Sequence, residues 1–498
     1  MTRPEAEYAD PVSPPHARPL DVDVLVVGAG IAGVDVGARL GMYCPGTAWA
    51  VLESRDAVGG TWDLFRYPGI RSDSDMYTLG FPFRPWRGEA SLASGEQIRQ
   101  YVQDTAREFG VTERIHHGQR VERLDWSSAD ARWTVTARTD AGTVRHTARL
   151  VYLATGYYSY ERGHVVDFPG QGLFDGPVIH PQAWPQDLSV QGRRVVVIGS
   201  GATAVTLVPA LVEAGAAHVT MLQRSPSYVA AVPSRDPVAT RVRQVMPDAV
   251  AHRVVRGKNV ALSTLGYQVL RRYPDAGRRL LRRRMERALP AGYPVEEHFT
   301  PTYDPWDQRL CAAADGDLFR VLGDGRASVV TASIDAFERD GIRLAGGEHL
   351  PADVIVTATG LEMEFGGGAR VFVDGAEVDV SSGHVYKGLM LSDVPNLAMA
   401  VGYTNASWTL RADLSARWFC SLVRYLDRRG LSVATPRYDE PDAVDAPMLD
   451  LTSGYVQRAA HLLPKQGRRW PWKVVQSYVY DLAVMRLGRI DDGHLELR

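Results

Sequence analysis

A parallel α/β fold built twice within one chain is what this sequence predicts. Three observations predict it: strand–glycine–helix units at Val22–Gly33 and Arg194–Ala204, two later strand ends reading Ala-Thr-Gly, and a strand-poor stretch, Ala231–Pro305, inside the second unit. The 498 residues exceed one ordinary domain. With 45% hydrophobic and 23% charged residues, the chain has the balance of a globular protein. Its 56 basic side chains meet 58 acidic ones, a near-neutral sum that argues against a nucleic-acid binder. The three cysteines, Cys44, Cys311 and Cys420, share no Cys-x-x-Cys spacing, which argues against a disulfide framework and a zinc cluster. No apolar run of about 18 residues could span a bilayer. Met1–Pro19 carries five prolines and no apolar signal region, so residues 1–20 read as a disordered tail and the cytoplasm is the expected compartment.

The first unit opens on Val24, Val26 and Val27, a β-branched run with the character of a strand buried on both faces. It ends in Gly28-x-Gly30-x-x-Gly33, with Ala32 inside the turn, and continues into a helix-compatible Val34–Leu40. Glycines there allow a tight turn and let backbone N–H groups approach a pyrophosphate at the positive end of the helix. A second strand, Trp49–Leu52, runs into Glu53, 25 residues after Gly28, where a carboxylate can accept hydrogen bonds from ribose hydroxyls. This is a Rossmann-like dinucleotide site suited to FAD or NAD.

The second unit repeats the pattern. Strand Arg194–Ile198 leads into Gly199-Ser200-Gly201-Ala202-Thr203-Ala204 and a helix-compatible Val205–Val212. Strand His218–Leu222 ends in Gln223-Arg224 rather than in an acid, with Arg224 again 25 residues past the first glycine. An arginine suits a 2′-phosphate, which a carboxylate would repel, so this site fits NADPH. The strand ends Leu150–Gly156 and Asp353–Gly360 look like the strands that return a flavoprotein chain to its nucleotide-binding sheet. Two sites imply electron traffic from nicotinamide to flavin. Without a Cys-x-x-x-x-Cys redox pair, oxygen is the obvious acceptor.

Between the glycine motifs lies Phe174-Asp-Gly176-Pro-Val-Ile-His180-Pro-Gln-Ala-Trp184-Pro185. This resembles the Phe-x-Gly-x-x-x-His-x-x-x-Trp-Pro signature of type I Baeyer–Villiger monooxygenases, with every fixed position present. Gly59–Phe81, Tyr303–Cys311 and Val401–Leu410 look like the ethionamide-activating branch of that family, and the similarity runs from about Asp21 to about Asp492. The resemblance implies a cycle in which NADPH reduces FAD and the reduced flavin captures O2 as a C4a-peroxyflavin. That adduct attacks a ketone to give an ester or lactone, or passes oxygen to sulfur or nitrogen when protonated. Flavin supplies the difficult chemistry and protein the positioning and electrostatics.

By the same resemblance Arg309 is the fixed positive charge beside the anionic oxygen adduct, and Asp73 is its partner carboxylate. Arginine suits the task because it stays charged in a dehydrated pocket. Thr61, Trp62, Asp63 and Leu64 are expected to line the flavin, Arg71 and Ser72 to lie near the nicotinamide, and Val121 to contact the adenine through its backbone. His180 and Trp184 are expected to couple domain rotation to cofactor handling. The segment with Asn405, Ser407 and Trp408 is expected to face the active site. Gln308 departs from the lysine that many relatives carry before the arginine, which leaves NADPH preference to Arg224. His116-His117 has no companion at ligand spacing, and no metal is expected.

The expected organisation is a FAD-binding domain at 21–158 and 361–498, a linker with the fingerprint at 159–190, an NADPH-binding domain at 191–230 and 306–360, and a helical insertion at 231–305. Val238–Pro290 holds 13 Lys/Arg against 3 Asp/Glu, a surface for anionic lipid at the membrane periphery or for steering an anionic cofactor. Thr435–Pro447 reads as a surface loop. The leading expectation is a Baeyer–Villiger monooxygenase acting on a ketone or thio-compound with O2. The alternatives are a flavin monooxygenase of sulfur or nitrogen, or an NADPH oxidase that makes hydrogen peroxide.

Overall fold

Strand Asp21–Val27 runs through a large sheet with Trp49–Leu52 parallel on one side and Gly142–Leu153 parallel on the other. The computed structural model describes residues 18–440, 446–449 and 453–498, so most of the expected N-terminal tail lies outside the described residues. Val24 and Val26 pack with helix Ile31–Tyr43 on one face, while Leu25 and Val27 meet Trp126 and Trp133 on the other. Both faces being covered, the strand carries an unbroken apolar run.

Gly142–Leu153 explains how one sheet is made from distant segments. Its first half pairs antiparallel with Arg132–Thr139, and its last residues, Val151 to Leu153, pair parallel with Leu397–Met399. Arg370–Val373 likewise joins Arg120–Ser127 in parallel. The C-terminal part of the chain therefore completes the first sheet. Helix Trp408–Arg429 lies against helix Ile31–Tyr43, where buried Arg39 donates from Nε to Asp413 Oδ1 at 2.8 Å.

The second sheet is wholly parallel, in the order Ala327–Thr331, His218–Gln223, Arg194–Ile198, Val354–Thr357 and Val178–Ile179. Its edge strand comes from the fingerprint segment, so part of the stretch read as a linker belongs to the sheet. The chain crosses between the sheets along Tyr158–Gly163 and Leu361–Met363, which pair antiparallel as a short ribbon. The insertion is helical at Pro237–Val245, Asp248–Arg272, Pro274–Ala288 and Val295–Phe299. The loop expected from Thr435 needs correcting at its start: Ala434–Pro436 is a strand paired with Leu495–Leu497. Residues 441–445 of that stretch lie outside the described residues. Among the described residues no helix is long and apolar enough to cross a membrane.

Candidate active site

The two glycine turns are built by one device used twice. Gly28 N–H donates to Leu52 O at 2.7 Å, and Gly199 N–H donates to Leu222 O at 2.8 Å. Both glycines have positive φ, +104° and +137°. A Cβ on Gly28 would stand 2.7 Å from Ala154 O, and one on Gly199 would stand 2.4 Å from Ala358 O. Each obstructing carbonyl belongs to an Ala-Thr-Gly strand end, which is why the two sequence signals occur together. Gly33 is excluded from bearing a side chain by Gly28 O, only 1.9 Å from its Cβ position. Ala204 takes the equivalent place in the second turn and is fully buried. Gly201 differs: nothing lies within 4 Å of its Cβ position, at the N-terminus of helix Ala202–Glu213. A ligand can approach the backbone there.

Two adjoining cavities follow the first turn. One, of ≈ 270 Å³, is lined by Gly28, Gly30, Glu53, Gln119, Val121 and Tyr160. The other, of ≈ 230 Å³, is lined by Gly30, Ala32, Thr61, Trp62, Arg71, Ser72, Asp73, Tyr157, Arg309 and Trp408. They share Gly30, Ala154, Tyr158 and Tyr160, so the groove runs from Glu53, past the glycine turn, to the charged pair. Glu53 is 3% exposed, and its Oε2 accepts from Ala29 N–H at 2.6 Å. An extended dinucleotide fits this groove: a carboxylate at one end, a glycine turn at the waist, and a cavity rimmed by rings at the other. Ala202 and Thr206 of the second unit also line the second cavity, so both glycine motifs converge on it.

Asp73 sits between buried Ser72 and the helix Met76–Leu79, whose N-cap Asp75 accepts from Thr78 N–H at 3.1 Å. Ser72 N–H donates to Ala93 O at 3.2 Å and Ser72 Oγ accepts from Ser74 N–H at 3.0 Å, which fixes the loop. Burial pushes the Asp73 carboxyl up to about 6, against the opposing pull of Arg309 and Arg71. Arg309 comes from a distant segment, two residues before strand Cys311–Ala314, which pairs with Val229–Val232. The preceding turn places Trp306 at φ +75°, rare for a bulky residue, with its ring centroid 5.5 Å from that of Tyr267 in an edge-on contact. Arg309 Nε donates to Thr404 O at 3.4 Å. Burial disfavours its charge, but Tyr157, Tyr455, Tyr158 and Asp73 together outweigh that and raise its pKa. Arg309 is half-buried and lines the cavity.

The tyrosines were not anticipated from sequence. Tyr158 donates to Tyr157 Oη at 2.7 Å, and the Tyr157 ring stacks on Trp408 at 4.6 Å between centroids. Burial raises the Tyr158 and Tyr455 phenols, so both stay protonated. The available signal was position: Tyr157-Tyr158 directly follows the first Ala-Thr-Gly.

Other expected residues divide. Arg71 lines the cavity, but its guanidinium is held by Asp317, with Nη1 to Oδ2 at 2.5 Å. Asp63 and Leu64 do not line either cavity. Asp63 turns away, 4% exposed, to meet Arg55 at 2.6 Å, along with Arg66 and Arg99. Gln223 is also turned inward, donating from Nε2 to His298 O at 2.8 Å and Thr331 Oγ1 at 2.9 Å, whereas Arg224 is exposed. Ser200 Oγ donates to Ser225 O at 3.0 Å, Thr203 lies beside the Tyr67 hydroxyl, and Val205 is buried in the second core. Asn405 donates to Gln476 O at 2.9 Å instead of facing the cavity, and Ser407 Oγ pairs with Thr78 Oγ1 at 2.6 Å.

The fingerprint residues lie away from the cavity. Phe174 packs with Phe337, and a Cβ on Gly176 would strike Asp353 O at 2.5 Å. His180 Nε2 bonds Gly360 O at 3.1 Å and its ring covers Gly163, whose Cβ position is 1.9 Å away. His180 thus grips both strands of the crossing ribbon. Trp184 packs on the second core and Pro185 is exposed. Among the described residues no group of three or more His, Cys, Asp or Glu could hold a metal ion.

Two glycine-turn sheets converging on one cavity are the frame of a two-dinucleotide oxidoreductase, a flavoprotein. Residues 25–261 match the family described as pyridine nucleotide-disulphide oxidoreductase. The chain is 48% identical over 474 residues to the FAD-containing monooxygenase EthA of Mycobacterium tuberculosis, covering 95% of this chain and 97% of that one. EthA of Mycolicibacterium smegmatis matches at 48% over 474 residues, covering 95% and 96%. A solved steroid monooxygenase bound to NADP superimposes with a TM-score of 0.77 at 22% identity, over 96% of this chain and 99% of that chain. The chain belongs to the family of FAD-containing monooxygenases that includes EthA.

Proposed function

We propose that the protein is a Baeyer–Villiger monooxygenase that uses FAD and NADPH: a ketone, O2, NADPH and a proton give an ester or lactone, NADP⁺ and water. The observation that carries this reading is that Arg309 and Asp73, far apart in sequence, both line the cavity at the end of the glycine-turn groove. FAD, in the groove from Glu53 and Val121 to Trp62, would accept hydride and activate O2. We assign it to the lobe of 21–158 and 361–498, and NADPH to 191–230 and 306–360, with Arg224 meeting the 2′-phosphate.

Within this frame the chain supplies electrostatics and exclusion of water. Arg309, a guanidinium that keeps its charge when buried, with the Asp73 carboxylate on the same cavity, opposes negative charge that builds where oxygen meets the carbonyl. Ionised Asp73, on the same cavity, balances its charge. The stacked Tyr157 and Trp408 close one wall, and a dry wall strengthens each charge–charge interaction. His180 acts at the ribbon, where relative motion of the lobes would pivot.

A second reading, oxidation of sulfur, rests on those same phenols. Tyr158 and Tyr455 remain proton donors beside the cavity, and a protonated oxidant suits a soft nucleophile. Three buried free cysteines fit the cytoplasm as the compartment. The test is a panel of ketones and thioethers, scored for the share of NADPH consumed that appears as ester, as sulfoxide or as hydrogen peroxide. Ester from at least one ketone supports the primary reading, sulfoxide alone the second, and peroxide alone contradicts both.

A further inference from the structure

The basic insertion is not evenly basic. Arg256 is buried and donates to Tyr77 O and Gly80 O, each at 2.8 Å, while Arg271 and Arg278 pair with Asp307 and Asp304. The remaining charge collects on the outer side of helix Pro274–Ala288. Gly277, Leu281 and Met285 form its buried ladder. Arg279, Arg283 and Arg287, also four residues apart, fall on the opposite face, exposed and without an ion pair to any described residue. Like charges stacked at this spacing repel one another, so the ladder costs stability unless a counter-charge covers it.

The adjoining helix Asp248–Arg272 adds the second feature. Half-buried Tyr267 and Leu270 turn to the protein, and Leu262, Leu265 and Val269 lie on the outward side at helical spacing. They are 60%, 61% and 48% exposed, with Tyr273 58% and Leu280 47% exposed beyond them. The helices meet at Tyr273–Pro274 with no loop between them, and Gly277 fits closely against Leu270. The corner therefore carries an exposed apolar ridge on one helix and a ladder of arginines without ion pairs on the next.

We propose that this helical corner docks on a membrane leaflet rich in anionic phospholipid, with Leu262, Leu265 and Val269 entering the headgroup boundary and Arg279, Arg283 and Arg287 meeting phosphates. Charge complementarity selects this occupant: a neutral apolar partner would leave the ladder unrelieved, and a second copy would set one ladder against another. The same helix braces the active-site loops, through Asn259 Nδ2 donating to Asp75 Oδ1 at 2.8 Å and Tyr267 against Trp306.

The test is cosedimentation of the flavin-loaded protein with phosphatidylcholine vesicles, with and without added phosphatidylglycerol, at low and high salt. Binding is expected only with phosphatidylglycerol, and weaker in salt. Each headgroup contact is worth about a fivefold change in partitioning, so Arg279→Gln/Arg283→Gln/Arg287→Gln weakens it roughly 100-fold. Leu262→Ser/Leu265→Ser/Val269→Ser should also lower binding, with flavin content and NADPH oxidation unchanged in both variants. No binding to anionic vesicles overturns the proposal. So does binding that ignores the Leu/Val variant, or a concentration-dependent dimer that this variant abolishes while vesicle binding is absent. The readout is sedimentation, so its failure leaves the oxygenation reading untouched.

Discussion

Arg309 and Asp73 line one cavity without forming an ion pair among the described residues, and each shifts the other's charge from a distance. Neither is neutralised by direct contact, which leaves the guanidinium free to turn toward a reacting anion.

Asp73 sets a pH limb. Its carboxyl lies at about 6 because burial outweighs Arg309 and Arg71. Product formation should fall as pH drops through 6, and Asp73→Asn should lower the rate throughout and remove that limb. Stability runs the other way: a carboxyl whose pKa is raised in the fold stabilises fully below 3.8, and this contribution is lost as pH rises through about 6. Flavin-free Asp73→Asn should therefore melt higher than the parent at pH 8, with the gain shrinking toward pH 4. A parent and variant with parallel pH profiles would remove the assignment.

The two kinds of glycine should separate cleanly. Gly28→Ala drives a Cβ into Ala154 O at positive φ, and should cost on the order of 3 kcal/mol and the flavin with it. Gly201→Ala meets open space at φ −80°, so the melting temperature should hold while KM for NADPH rises roughly tenfold. Flavin content, calorimetry and steady-state kinetics on both variants check this.

Arg224 is exposed at the end of its strand. Arg224→Ala should raise KM for NADPH by roughly tenfold or more and leave KM for NADH nearly unchanged. Equal effects on the two coenzymes would place the 2′-phosphate elsewhere.

The interleaved chain has a buried electrostatic tie. Arg39 bonds Asp413 and lies 3.8 Å from Asp35, whose carboxyl is pushed up by burial and then by Asp413. Arg39→Ala leaves two acids buried and should cost about 3–5 kcal/mol in urea unfolding. Arg39→Met with Asp413→Leu should recover much of that loss.

Legibility from sequence follows how local each signal is. The glycine turns were readable because a positive φ and a close carbonyl tolerate only glycine, and strand and helix follow within a few residues. Arg309 was readable by resemblance alone, since its position depends on a strand pairing with Val229–Val232 far upstream. The direction of the Asp63 side chain was not legible, because the short helix Thr61–Leu64 turns it toward Arg55, Arg66 and Arg99. The inward side chain of Gln223 was not legible either, because strand alternation turns it to Thr331. The phenols escaped notice because their neighbours in space, Arg309, Trp408 and Tyr455, come from distant loops and helices.

The central claim is tested most directly by supplying ¹⁸O2, NADPH and a ketone converted by the parent enzyme to flavin-loaded Arg309→Ala. The account predicts that the parent places one ¹⁸O atom in the ester, while the variant reduces its flavin at the parental rate but makes at least 100-fold less labelled ester, its NADPH ending as hydrogen peroxide. Labelled ester at the parental rate from the variant would contradict it.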